Sequence, residues 1–97
     1  MSKNSEMLEY ILRGKNRILI YDALSVHFRG LMPREIKSLC NFSSYSTITR
    51  ILKGLLQKGV IKCTNAYTTR GKLYSLTEEA QELKEDILDH IELNYLS

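Results

Sequence analysis

The sequence contains no tryptophan, one proline (Pro33), five glycines and two cysteines in 97 residues. So little proline and glycine excludes a collagen-like, linker-dominated or low-complexity chain. Cys40 and Cys63 stand too far apart in sequence for a closely spaced zinc or redox motif, and two cysteines do not make a disulfide framework. Their default state inside a cell is a reduced thiol packed as a small hydrophobe. No apolar run approaches the roughly 18 to 20 residues that cross a bilayer. The N-terminus carries no hydrophobic signal segment, so a cytoplasmic location is expected. A nucleophile–base pairing and a glycine-rich phosphate loop are both lacking, so neither enzymatic activity nor a cofactor is expected. What is present is an ordinary globular composition, 43% hydrophobic and 26% charged. It is read as one domain over 1–97, burying roughly 60% or slightly more of its unfolded surface and leaving little room for a small-molecule pocket.

Basic residues are nearly missing from the last twenty positions. Residues 78–97 carry Lys84 against seven acids, net −6, whereas residues 1–77 carry 13 Lys/Arg against four acids, net +9. A basic body suits a polyanionic partner, and an acidic tail suits a different task. Charge alone fits equally well with side chains that only solvate helix faces.

Apolar periodicity and capping residues give the elements. Leu8, Ile11 and Leu12 share one face of a short helix over 5–13 that ends near Gly14. Asn16 has the side chain of an N-cap for a second helix to about Phe28, whose stripe is Ile20, Leu24 and Phe28, widened by Ile18 and Leu19. Pro33 suits a first helical position and Glu35 can reach back to free amides. These predict a brief helix over 33–40 with Ile36, Leu39 and Cys40 inward. After a turn at 41–43, Ser44 is the better N-cap of the next helix, with Ser43 the alternative one residue earlier. That helix turns Ile48, Ile51, Leu52, Leu55 and Leu56 inward and leaves Tyr45, Ser46, Thr49, Arg50, Lys53 and Gln57 outside, until Gly59 ends it as a left-handed cap. Strands are expected over 60–64 and 72–76, around a polar tip. Thr77 caps a terminal helix over 77–97, with Glu78 and Glu79 in its first turn and Ala80, Leu83, Ile87, Ile91 and Tyr95 as an apolar seam.

Two motifs in order carry a resemblance. One is Ser44-Tyr45-Ser46-Thr47-Ile48-Thr49-Arg50-Ile51-Leu52-Lys53-Gly54-Leu55 followed by Gln57-Lys58-Gly59-Val60-Ile61; the other is Tyr74-Ser75-Leu76-Thr77. Over roughly residues 16–80 the chain resembles the winged helix-turn-helix of small MarR-like and ArsR-like transcription regulators. The resemblance implies an α+β, mainly α fold with a helix-turn-helix core and a two-stranded wing over 16–76, and a dimerisation helix over 77–97. It implies a sequence-specific regulator that binds double-stranded DNA, with a recognition helix over about 44–58 in the major groove and a wing over 60–76 on the flanking backbone or minor groove. The expected contacts are Ser44, Tyr45, Ser46, Thr49, Arg50 and Lys53 on the helix, Tyr67, Thr68, Thr69, Arg70 and Lys72 on the wing, and Arg34 at the start of the short helix. Arg50 can grip a guanine bidentately or hold a phosphate, the commoner kind of contact. Lys15 and Arg17, also at helix starts, are further candidates for phosphate contacts.

The terminal helix would form a homodimer interface from Leu83, Ile87, Ile91 and Tyr95, joined by Leu8, Ile11 and Leu12. Two recognition helices would then meet half-sites about 34 to 36 Å apart. Two positions depart from the family pattern: Gly54 lies within the recognition helix, and Met32 stands where a hydroxyl N-cap is usual. Two rival readings remain. One is a docking module without DNA affinity. The other is a metal- or redox-sensing repressor using Cys40 or Cys63, for which the spacing offers no metal-ligand set.

Overall fold

One proline and a few polar or glycine residues set the ends of the two central helices. Pro33 opens α3 (Pro33–Cys40), and the Glu35 carboxylate accepts the Met32 N–H at 2.9 Å, so the missing hydroxyl cap does not move the helix start. Asn41 ends α3 in the left-handed region at φ 58°, where the Phe42 N–H bonds the Lys37 carbonyl at 3.0 Å and the Asn41 N–H bonds that of Ser38. Ser44 then caps α4 (Tyr45–Gln57), its Oγ accepting the Thr47 N–H at 3.3 Å. Gly59, at φ 74°, closes α4 in the same manner as Asn41 closed α3. Val60 N–H bonds the Leu55 carbonyl at 2.9 Å, Gly59 N–H bonds that of Leu56, and Leu55 and Val60 are both fully buried.

The computed structural model describes residues 3–65 and 71–96. α1 (Lys3–Leu12) and α2 (Lys15–Ser25) precede the central pair; β1 (Ile61–Cys63), β2 (Tyr74–Leu76), α5 (Glu78–Gln81), α6 (Lys84–Ile91) and a π-helical turn (Glu92–Leu96) follow it. The class is α+β, mainly α. β1 and β2 pair antiparallel, with Ile61 opposite Leu76 and Cys63 opposite Tyr74. Leu31 bridges the other edge of β2 through two backbone hydrogen bonds with Tyr74, at 2.8 and 2.9 Å. β2 is thereby central, and all three of its residues are buried.

α3 packs on α2 and α4, α1 on α2 and α6, and β1 on α4. Their shared core includes Met7, Ile11, Ile20, Tyr21, Ile36, Ile48, Leu55, Val60 and Ile87. Gly54 permits a close approach: a Cβ there would run into the Tyr10 hydroxyl of α1.

Several expectations need correction. α2 begins at Lys15 without a side-chain cap, so Asn16 lies inside it. It stops at Ser25, whose hydroxyl donates to the Asp22 carbonyl at 2.7 Å, and the chain turns away before Phe28. Phe28 is therefore 84% exposed instead of in the stripe, and Leu39, on an uncovered side of α3, is 56% exposed. Leu19 and Leu56 also reach the surface.

The terminal helix is not continuous. The Tyr21 hydroxyl and the Leu83 N–H both bond the Ala80 carbonyl, the acceptor that the Lys84 N–H would use in an unbroken helix, and the helix is interrupted at Glu82–Leu83. Ile11, Leu83 and Ile87 lie in the chain's own core, which removes them from the dimer surface read from sequence; Leu8, Leu12 and Ile91 are only partly covered. The Tyr95 side chain lies outside the described residues. Among the described residues, no helix is long and apolar enough to cross a membrane.

Candidate nucleic-acid interface

α4 is divided lengthwise by its sequence. Ile48, Leu52 and Leu55 are buried, and this apolar stripe fixes which residues face outward. Tyr45, Ser46, Thr49, Arg50, Lys53 and Gln57 are all exposed on the other side. The outward set is the one expected from the spacing, whereas of the expected inward stripe Leu56 is exposed and Ile51 only partly covered; the outer face gathers two hydroxyls, a phenol, an amide and two cations. No ion pair holds Arg50 or Lys53 among the described residues.

The remaining expected contacts fall differently. Ser44 is half-buried, and its hydroxyl serves the cap and lies 3.1 Å from both the Ser46 and Thr47 hydroxyls, so its role is to fix the start of α4. Arg34 is exposed in the first turn of α3, and Lys72 is exposed just before β2. Tyr67, Thr68, Thr69 and Arg70 lie outside the described residues. The base of that tip is tied by Asn65, whose amide donates to the Gly71 carbonyl at 2.9 Å and whose oxygen accepts the Leu73 N–H. Arg17 is committed inside the chain: its guanidinium lies 3.8 Å over the Tyr10 ring and donates to the Tyr10 carbonyl at 2.7 Å.

Two further exposed or half-buried cations on these elements carry no signal in the motifs quoted above. Lys37 on α3 holds its ammonium 5.0 Å from the centre of the Tyr45 ring. Lys62 is exposed at the middle of β1. The three- and four-residue spacing of Arg34, Lys37 and Ser38 was the available signal for Lys37, because such residues share a helix face. Together these side chains can donate hydrogen bonds and place positive charge against an anionic surface.

The thiols sit apart from one another in this arrangement. Cys40, at the end of α3, donates to the Leu19 carbonyl at 3.6 Å; burial, reinforced by the nearby Asp22 carboxylate, pushes its pKa up and disfavours a reactive thiolate. Cys63 on β1 donates to Asn65 Oδ1 at 3.5 Å. Among the described residues no group of three or more His, Cys, Asp and Glu side chains is arranged to hold a metal ion. The chain matches no protein-family model, no curated protein and no solved structure.

Proposed function

We propose that this chain is a winged-helix regulator that binds double-stranded DNA, with α4 entering the major groove and the β1–β2 hairpin lying on the flanking backbone or minor groove. The observation that carries the reading is the outer face of α4, where Tyr45, Ser46, Thr49, Arg50 and Lys53 stand exposed on a helix whose opposite side is locked into the core. An α-helix fits the major groove, and residues near its N-terminal end reach base edges. The order of elements adds support: α3, a short turn, α4 and a hairpin, with Leu31 supplying a third strand position beside β2. The proposed action is binding alone, controlling transcription by obstruction or recruitment.

A homodimer would present two such faces to a twofold site. The part of α6 not buried in the core supplies its surface: Leu88 is exposed one turn before Ile91, which closes an apolar groove with Ile18 and Leu19 of α2. The docking-module reading draws support from a different patch, where Val26 and Leu39, each more than half exposed, line one shallow concavity.

Arg50→Ala tests the central reading. It leaves circular dichroism unchanged, because the side chain is outside the core, and weakens duplex binding by about 1 to 3 kcal/mol, roughly 5- to 150-fold. A folded Arg50→Ala protein with undiminished affinity rules out this placement of α4. Absence of duplex binding by the parent protein, with retained binding to a protein partner, selects the docking module.

A further inference from the structure

Between α3 and the first turn of α4 lies an open cleft of about 320 Å³ lined by Arg34, Lys37, Ser38, Asn41, Phe42 and Tyr45. Resting on the DNA-binding reading above, we propose that this cleft seats one phosphate of the duplex backbone beside the bases met by α4, with Lys37 as its principal ligand.

Three observations converge on that assignment. The lining has two cations, a hydroxyl, a phenol and an amide but no carboxylate, so its chemistry favours an anion. Neither Arg34 nor Lys37 is paired with an acid among the described residues; the neighbouring Glu35 carboxylate is engaged by the Met32 N–H. Finally, the cleft is built before any ligand arrives. The left-handed Asn41 fixes the turn, Phe42 N–H ties it to the carbonyl of Lys37, and the half-buried Phe42 ring anchors its wall to the core.

Lys37 also has a neighbour that favours its charge. Its ammonium stands over the Tyr45 ring, 5.0 Å from the centroid, where the ring attracts the cation without neutralising it. Tyr45 is the first residue of α4. A phosphate gripped by Lys37 would therefore set how deeply and at what register α4 sits in the groove, the positioning task that backbone contacts perform.

The test is the salt dependence of binding to one labelled duplex for the parent protein, Lys37→Gln and Lys37→Arg, with Arg34→Gln as an independent variant. Loss of one phosphate contact lowers the slope of log affinity against log salt by about 0.9, so the affinity lost between about 50 and 200 mM salt shrinks roughly threefold. Lys37→Gln is expected to show that reduction, with the same weakening on duplexes of unrelated sequence; Lys37→Arg restores the slope. If the parent binds and neither Lys37→Gln nor Arg34→Gln changes the slope, the cleft proposal is overturned while the DNA-binding reading stands. If the parent protein, shown to be folded, binds no duplex at about 50 mM salt, both fall together.

Discussion

Tyr21 shows how one side chain ties distant parts of the chain together. It is 1% exposed, and its hydroxyl donates to the Ala80 carbonyl across 59 positions of sequence. Burial, and secondarily the charge of Asp86, pushes its pKa up to about 12. Ionisation would place a phenolate in the core and remove the donor. Because the folded-state pKa is raised, the associated stability is fully present below about pH 10 and is lost as pH climbs through about 12. Denaturant midpoints measured across that alkaline window should fall for the parent protein. The slope should be shallower in Tyr21→Phe, with Tyr74, whose pKa burial also pushes up, keeping part of it, and a parent midpoint that stays flat to pH 12 contradicts the assignment.

Gly54 offers a second test of local packing. A Cβ there would collide with the Tyr10 hydroxyl, and that ring has little freedom beneath Arg17 and beside Lys58, 5.5 Å away. Gly54→Ala should destabilise the parent, yet in a Tyr10→Phe background it should stabilise by about 1 kcal/mol, the helix preference of alanine over glycine. Thermal melts giving the same sign in both backgrounds would refute the close-approach account.

The helices and strands differ in how far their own residues define them. α3 and α4 were legible because their ends are local: Pro33, Glu35, Asn41, Ser44 and Gly59 act within a turn of their own positions. The outer face of α4 was legible for the same reason, since periodicity alone fixes what the buried stripe excludes. Features that depend on distant partners were not. No local pattern marks Leu31 as a strand neighbour of Tyr74, or reveals that Tyr21 takes the carbonyl that would continue α5 into α6. Phe28 was misplaced because four-residue spacing persists in the sequence after the helix has stopped. Lys37 was overlooked because its meaning comes from Tyr45, across the turn.

The terminal seam shows the same limit: a stripe on a helix does not say whether its own domain or a second copy covers it. Leu83 and Ile87 answer that for the inner side of the seam, leaving Leu88 and Ile91 for the proposed dimer. Sedimentation should give a dimer mass for the parent protein and a single-chain mass for Leu88→Glu, with unchanged circular dichroism. A monomeric parent, or a variant that remains dimeric, removes this surface from the account.

Taken whole, the chain is polarised along its sequence, with net +9 over residues 1–77 and −6 over residues 78–97. The cations around α3, α4 and the hairpin lie on the basic portion, whereas the helices after Thr77 carry the acids. A duplex approaching the α4 face would be attracted over a distance of about one screening length, roughly 10 Å at 0.1 M salt, and that attraction must weaken as salt rises. The most direct measurement is fluorescence anisotropy of a labelled duplex of random sequence, titrated with the folded protein at about 50 and 200 mM salt. Clear binding is expected at the lower concentration, collapsing at the higher one. Absence of binding at about 50 mM, or an affinity indifferent to salt, would contradict a phosphate-contacting face and with it the proposed function.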